Sequence, residues 1–268
     1  MQASPPWAPP TGTLGRILEE TRSRLPSLEG ARVRATPDVP RPLLSDALRS
    51  DTVAVIAELK RRSPSKGVLN NALNAGQSVL FERGGAAAIS VLTEPEFFGG
   101  TIEDLVAVRA AVALPLLRKD FHVDPMQLIE ARMAGASAVL LIVRALSPDE
   151  LPRMLTAARH LELESVVEVR TEHELERALD AGAEIIGVNS RDLETLEVDE
   201  TVPQRLIPRI PPQVLSVWES GVSTIEDVAR AAACGADAVL VGSALSRSND
   251  PEALVRTLAG VTRKERRG

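Results

Sequence analysis

The sequence is poor in several residue types, and each scarcity excludes a class of protein. Cys234 is the only cysteine among 268 residues, so an internal disulfide is impossible and a reducing compartment is favoured. The three histidines and this cysteine are not spaced as metal ligands, so no metal site is expected. The longest uninterrupted apolar run, residues 138–143, is far too short to span a bilayer. Residues 1–12 lack the basic start and apolar stretch of a signal peptide, which predicts a cytoplasmic protein without a membrane partner.

The charged residues are also unevenly chosen. A net charge of −6 and a pI of about 5.3 argue against a general nucleic-acid binder, although they leave room for a local basic site. Among 31 basic residues the lysines are Lys60, Lys66, Lys119 and Lys264. Buried lysine can release its proton whereas arginine cannot, so the segments around residues 60 and 119 are where a tunable ammonium is expected to matter.

Short apolar segments alternate along the chain with amphipathic ones. Strands are predicted at residues 53–58, 87–92, 114–117, 138–142, 166–168, 185–188, 214–217 and 238–241. Helices are predicted between them, among them 102–111, 126–134, 148–161, 172–181 and 225–233, and one more at 14–25. Unbroken apolar strands are typical of a parallel sheet buried on both faces. Eight such units predict an α/β protein, a (β/α)8 TIM barrel with an extra N-terminal helix.

An open doubly wound sheet is the alternative fold, but no Gly-x-Gly-x-x-Gly motif follows the first predicted strand. The expected organisation is a disordered segment at 1–12, a single barrel domain at 13–262 that includes the N-terminal helix, and a basic tail at 263–268.

Polar residues recur where the predicted strands end. They are Glu58, Lys60, Lys119, Glu168, Asn189 and Glu219. The active site of a barrel of this kind forms at the carboxyl ends of its strands, so these side chains should converge on one mouth. Glu58 and Lys60 are two residues apart and should point into the barrel together with Ile56. A structural ion pair at the rim is the alternative interpretation for these two residues.

The loops after the seventh and eighth predicted strands indicate a phosphate site. Ser220 and Gly221 follow one strand, and Gly242 and Ser243 follow the other. In many barrels these two loops hold a phosphate at the N-terminus of a short helix, and glycine lets backbone amides approach the anion. The alternative is that both glycines only shape turns.

Several of these segments resemble the indole-3-glycerol-phosphate synthase family of tryptophan biosynthesis. The matching segments are 56–67 (IAELKRRSPSKG), 89–100 (ISVLTEPEFFGG), 115–125 (PLLRKDFHVDP), 138–143 (AVLLIV), Glu168, 187–195 (GVNSRDLET), 219–223 (ESGVS) and Gly242–Ser243. The resemblance implies a carbon–carbon lyase that closes a pyrrole ring on a phosphorylated small-molecule substrate with loss of CO₂ and water. It implies no metal or organic cofactor, and a monomer, with a homodimer left open.

The resemblance also implies roles for the strand-end residues. Lys119 would be the general acid and Glu168 the base of the dehydration. Lys60 would pair with the substrate carboxylate and share the acid role, while Glu58 would hold and tune the lysines. Asn189 and Glu219 would position the ribulose hydroxyls and the leaving group.

The remaining implied contacts are to the two ends of the substrate. The anthranilate ring would lie in a slot of Phe98, Phe121 and Leu140, although core packing is a rival interpretation for each. Arg191 would brace the Asn189 loop. The phosphate would be held by Ser63, Ser220, Gly221, Gly242 and Ser243.

Two residues depart from the family pattern, and two other functions stay open. Trp218 is expected to point outward against the helices, and His122 is expected on a loop surface. A phosphoribosylanthranilate isomerase-like barrel would want a cysteine/aspartate pair early in the barrel, whereas Cys234 precedes the last strand. A barrel that only binds a phosphorylated metabolite would be expected to lack Lys119 or Glu168.

Overall fold

The computed structural model describes residues 7–28, 41–65, 67–70 and 74–264, and its central feature is a closed barrel. The barrel strands are β1 (Ala54–Leu59), β2 (Ala88–Leu92), β3 (Leu116–Lys119), β4 (Ala138–Ile142), β5 (Glu164–Val169), β6 (Ile185–Asn189), β7 (Leu215–Glu219) and β8 (Ala238–Val241). Each strand pairs in parallel with its sequence neighbours, and β8 pairs with β1. The predicted TIM barrel is confirmed, with strand ends within two residues of their predicted positions.

Helices surround the barrel and cover its ends. They are α1 (Gly12–Leu28), α2 (Leu44–Leu48), α3 (Ala75–Arg83), α4 (Pro95–Phe98), α5 (Ile102–Ala111), α6 (Pro125–Met133), α7 (Glu150–His160), α8 (Glu172–Asp180), α9 (Thr201–Leu206), α10 (Ile225–Ala233), α11 (Ser243–Arg247) and α12 (Pro251–Leu258). The predicted N-terminal helix is present as α1 and is longer than expected. A short antiparallel hairpin, Arg62–Ser63 with Gly67–Val68, follows β1. Lys66, residues 1–6 and residues 265–268 lie outside the described residues, and the expected domain limits stay a prediction.

Side-chain alternation along the strands divides the core into two layers. On β1, Val55 and Ala57 face the helices, whereas Ala54 and Ile56 face the barrel interior. All of these side chains are buried because the sheet is covered on both faces, which explains the unbroken apolar runs. Alternation then places the next inward side chain of β1, Glu58, at the barrel mouth.

Several helices begin at a capping box directly after the loop that follows a strand. Thr101, Asp124, Thr171 and Thr224 each accept a hydrogen bond from a backbone amide of the first helical turn, and the side chain three residues later accepts one from the backbone N–H of the capping residue. Each cap contributes about 1 kcal/mol and fixes where its helix starts.

The two N-terminal helices close opposite ends of the barrel. In α2, Leu44 and Leu48 are fully buried in the inner layer, and the amides of Leu44 and Ser45 donate to the carboxylate of Glu164 at the start of β5. This helix therefore forms the floor. Helix α1 lies at the other end, where Ile17 reaches the cavity at the strand C-termini.

His122 does not lie on a loop surface, and that prediction is wrong. Its side chain is 2% exposed, and its Nδ1 is 2.8 Å from the carbonyl oxygen of Leu140. The pairing of β3 with β4 ends at Arg118 and Val139. Beyond that point the imidazole forms a hydrogen bond with the carbonyl group of Leu140, the next residue of β4. Burial, together with the charge of Arg118, lowers the pKa of His122 to about 4, so the buried ring is neutral.

Trp218 does point outward, as expected. Its indole is 2% exposed within the outer layer, and its Nε1 donates to the carbonyl oxygen of Ser220 at 3.2 Å. The side chain therefore packs away from the barrel mouth.

Candidate active site

A cavity of about 480 Å³ opens at the C-terminal ends of the strands. Every site residue predicted from the sequence lines it: Glu58, Lys60, Ser63, Phe98, Lys119, Phe121, Leu140, Glu168, Asn189, Arg191, Glu219, Ser220, Gly221, Gly242 and Ser243. Strand alternation brings these residues together because inward positions at the ends of separate strands meet at one mouth.

Lys119 lies at the centre of the charged groups. Its Nζ is 3.2 Å from Glu168 Oε2 and 3.1 Å from Glu219 Oε2. Burial alone would lower the pKa of this ammonium, but the carboxylates of Glu219 and Glu168 outweigh burial and raise it. Lys119 is therefore protonated at neutral pH and available as a proton donor.

The ionisation of Glu219 is perturbed by its surroundings in the site. Burial, opposed by Lys119 and reinforced by the charge of Glu168, raises its pKa to about 8. Its carboxyl group lies against the backbone of Gly187 on the adjacent strand β6, where any Cβ would collide with Glu219 Oε1. Gly187 therefore makes the room in which this carboxyl group lies.

Glu58 and Lys60 form a close ion pair beside this centre. Glu58 Oε1 is 2.5 Å from Lys60 Nζ, and the glutamate is 2% exposed. A Cβ at Gly242 would collide with Glu58 Oε1 and lie 3.1 Å from Lys60 Nζ. Gly242 therefore gives the pair its space, a role that the sequence pattern did not suggest.

Asn189 and Arg191 fix the side of the site next to Glu168. Asn189 Nδ2 donates to Glu168 Oε1 at 3.0 Å, and the backbone N–H of Arg191 donates to Asn189 Oδ1 at 2.9 Å. The Arg191 guanidinium donates to the carbonyl oxygen of Leu196 at 2.8 Å, which braces the loop after β6. Both oxygens of Glu168 thus have a defined donor.

Aromatic and aliphatic side chains form one wall of the cavity. The rings of Phe98 and Phe121 have centroids 6.1 Å apart and are tilted by 37°. Leu140 lies in the same inner apolar cluster. These side chains offer a planar ring an apolar surface with aromatic partners.

The opposite end of the cavity is suited to an anion. Ser220 and Gly221 have φ angles of 66° and 84°, and Gly242 precedes the short helix α11, which begins at Ser243. The hydroxyl of Ser63 is buried, and among the described residues it has no hydrogen-bond partner. Arg247, at the end of α11, adds a cation to this lining.

Sequence reasoning missed several residues around the cavity. Arg247 had a usable signal, since it lies one helical turn after Ser243. Ile17 and Gly187 had none, because only the assembled barrel brings a distant helix to the mouth or a carboxylate against a glycine. Asp120, which also lines the cavity, was passed over although it lies between Lys119 and Phe121.

The described parts of the chain contain no group of three or more histidine, cysteine, aspartate or glutamate side chains placed to hold a metal ion. Within the same residues, no helix combines the length and apolar character needed to cross a membrane.

The fold and the site together define a (β/α)8-barrel protein suited to acid–base chemistry on a small molecule that carries an anionic group and a planar ring. A family model described as indole-3-glycerol phosphate synthase matches residues 16–258. The chain belongs to this family, as the sequence motifs indicated.

Curated relatives agree with this assignment along nearly the whole chain. The indole-3-glycerol phosphate synthase of Parafrankia sp. is 49% identical over 242 residues, covering 90% of this chain and 89% of the relative. Indole-3-glycerol phosphate synthase 1 of Streptomyces coelicolor is 48% identical, with 90% of each chain covered. A thiamine phosphate pyrophosphorylase from Pyrococcus furiosus has the same fold, with a TM-score of 0.59 at 16% identity over 79% of this chain and 95% of that chain.

Proposed function

We propose that this chain is a carboxy-lyase of tryptophan biosynthesis that converts 1-(2-carboxyphenylamino)-1-deoxyribulose 5-phosphate to indole-3-glycerol phosphate. The observation that carries the proposal is the position of the Lys119 ammonium. It lies between Glu168 and Glu219 at the mouth of the barrel, in a cavity with an aromatic wall and an anion-binding end. The family of the chain supports the same reaction.

The substrate is held at its two ends. Its phosphate binds the serine hydroxyls and backbone amides around Ser63, Gly221 and Ser243, and its aromatic ring packs against Phe98 and Phe121. The ribulose chain then crosses the cavity beside Lys119. Its ring carboxylate pairs with Lys60, whose ammonium rests on Glu58 before the substrate binds.

Ring closure needs a proton donor at the carbonyl oxygen. The ring carbon that bears the carboxylate attacks the ribulose carbonyl carbon, and Lys119 protonates the oxygen as the new carbon–carbon bond forms. The bond to the carboxylate then breaks, CO₂ leaves, and the electron pair restores the aromatic ring. Because the carboxylates around Lys119 keep it protonated, the acid is ready before the substrate arrives.

Dehydration needs an acid for the hydroxyl and a base for a carbon-bound proton. Lys60 shares the acid role, so the hydroxyl leaves as water, and Glu168 accepts the proton from the neighbouring carbon. Asn189 orients the Glu168 carboxylate. Glu219 lies 3.1 Å from Lys119 at the same mouth, where it can form a hydrogen bond with a ribulose hydroxyl.

Neither alternative function is favoured by the site. Cys234 directly follows helix α10 and does not line the cavity, so an isomerase-like function would lack its cysteine at the mouth. A purely binding barrel has no need of a lysine between two carboxyl groups. We also propose a cytoplasmic location, which the single cysteine favours, and a monomer, with a homodimer as the alternative.

The test of the function uses the purified protein and the carboxyphenylamino-deoxyribulose phosphate, with indole fluorescence as the readout and no added metal or cofactor. We expect a rising signal that Lys119→Ala reduces by about 10²-fold or more, since general acid catalysis contributes at least that much. The affinity of the Lys119→Ala variant for inorganic phosphate, measured by calorimetry, should equal that of the parent protein. Lys264→Ala, at an exposed lysine far along the chain, is the matched control. An unmodified protein that binds the substrate without producing indole fluorescence would disprove the proposal.

A further inference from the structure

A single buried carboxylate joins the N-terminal helix to the aromatic wall. Glu94 follows β2, is fully buried, and caps the one-turn helix α4. Its carboxylate accepts the backbone amides of Glu96 at 3.0 Å, Phe97 at 2.6 Å and Phe98 at 3.1 Å. The orientation of the turn that carries Phe98 is therefore set by this one side chain.

The charge partner of Glu94 comes from α1. Arg24 Nη1 donates to Glu94 Oε1 at 3.1 Å, and the Arg24 side chain is 30% exposed. Among the described residues, no other cationic side chain forms an ion pair with Glu94. Removing the partner of a buried carboxylate leaves an uncompensated desolvation cost, so the ion pair with Arg24 stabilises Glu94 in the position where it binds the three amides.

The face of α1 that bears Arg24 is also the face that meets the cavity. Ile17, Thr21 and Arg24 lie at helical spacing on this face, with Ile17 lining the cavity and Thr21 buried between them. Arg24 is half-buried at the end of this stripe, where it reaches across to the loop after β2. One surface of α1 thus covers the site and holds the turn that forms its wall.

We propose that Arg24 and Glu94 are positioning residues through which α1 sets Phe98 against the aromatic ring of the substrate. A four-residue helix has no stability of its own, so its geometry depends on these external contacts. The inference rests on the proposed function, which places that ring between Phe98 and Phe121. Neither residue touches the reacting atoms or the phosphate end, so its loss should weaken ring binding and spare the other steps.

The experiment compares steady-state kinetics of Arg24→Ala with those of Arg22→Ala, a matched change at an exposed position of the same helix. For Arg24→Ala we expect KM to rise about tenfold with kcat within about twofold, since the lost interaction acts on binding rather than on the transition state alone. The inhibition constant of inorganic phosphate should not change. Arg24→Lys, which keeps the charge, should recover part of the affinity, and Arg22→Ala should match the parent protein.

A double-mutant cycle distinguishes a loss of the Arg24–Glu94 interaction from a nonspecific loss of structure. Glu94→Gln should also raise KM, and the double variant should show less than the product of the two single effects, because both act through one contact. An unchanged KM in Arg24→Ala, multiplicative effects in the cycle, or an equal weakening of phosphate inhibition would each overturn the inference. A parent protein that fails to form indole product would instead refute the proposed function.

Discussion

Two glycines set the space available to the carboxylates of the site. Gly187 lies against Glu219 and Gly242 lies against Glu58, and neither has a left-handed backbone. Their role is therefore the absence of a side chain and not backbone freedom. The acidic groups fit inside the crowded barrel mouth because the adjacent backbone has no Cβ at these two positions.

Gly187→Ala tests this role. The new methyl group should displace the Glu219 carboxyl group, separate it from Lys119 and lower turnover, with an overpacking cost of about 1–3 kcal/mol. Gly260→Ala, where the added Cβ would find only one atom at 4.0 Å, is the control. Turnover and the free energy of unfolding should both fall in the first variant only. Shortening the acid with Glu219→Asp should restore part of the stability lost by Gly187→Ala, and a purely additive loss would contradict this account.

Residues whose placement follows from strand alternation were predictable, and residues placed by distant contacts were not. Glu58 and Lys119 are inward because of the apolar positions before them in the same strand. The partner of the buried His122 side chain is a carbonyl group of another strand. The cation that pairs with Glu94 is Arg24, about 70 positions earlier in the chain. No local pattern contains such information.

At the scale of the element, the end of β3 and the loop that follows it carry both the acid and part of the aromatic wall. Asp120 lies between Lys119 and Phe121, and its Oδ1 accepts the amide of Phe121 at 2.8 Å. Its Oδ2 accepts the hydroxyl of Thr93 at 2.6 Å, and that hydroxyl accepts from Arg118 Nε at 3.0 Å. The charge of Arg118 lowers the pKa of Asp120 despite its burial, so the loop is anchored by a carboxylate.

Thr93→Val removes this anchor without changing the size of the side chain. We expect a loss of about 1–3 kcal/mol in the free energy of unfolding, because two buried polar groups lose a partner, together with lower turnover. Thr93→Ser keeps the hydroxyl and should behave like the parent protein. Urea unfolding and kcat measurements on the three proteins provide the check, and equal behaviour of Val and Ser would show that the hydroxyl is dispensable.

The longer helices could be predicted from the sequence, whereas the shortest ones could not. Helices α5 and α10 begin and end at their predicted residues, because a capping threonine precedes each of them, and a clear amphipathic pattern also marks α10. Helices α2 and α4 have five and four residues, which is too short for a periodic pattern. They exist because of their tertiary contacts: α2 packs into the inner layer of the barrel and bonds Glu164, and α4 is capped by Glu94.

At the scale of the whole molecule, two buried groups give opposite dependences of stability on pH. The pKa of Glu219 rises from 4.5 in the unfolded chain to about 8, so between these values the folded protein holds the extra proton and the free energy of unfolding falls as pH rises. The pKa of His122 falls from 6.5 to about 4, so in that interval the unfolded chain holds the extra proton and stability rises with pH.

The two slopes overlap between pH 4.5 and 6.5, where they oppose each other. From pH 6.5 to 8 only the Glu219 slope remains, and we expect it to remove at most about 1.4 kcal/mol of stability per pH unit. Urea unfolding at several pH values would show this fall in the parent protein and a flatter curve in Glu219→Gln. A parallel fall in both proteins would assign the slope to another group.

The seam of the barrel has a consequence for how the protein is made. Strand β1 pairs with β8, and the closure continues below it, where Val53 N–H donates to Val261 at 2.8 Å and Arg263 N–H donates to Asp51 at 2.9 Å. During synthesis β1 cannot pair with β8 until almost the entire chain has left the ribosome. Until then the growing sheet keeps two open edges, and a nascent chain that stalls before residue 238 presents both to other chains.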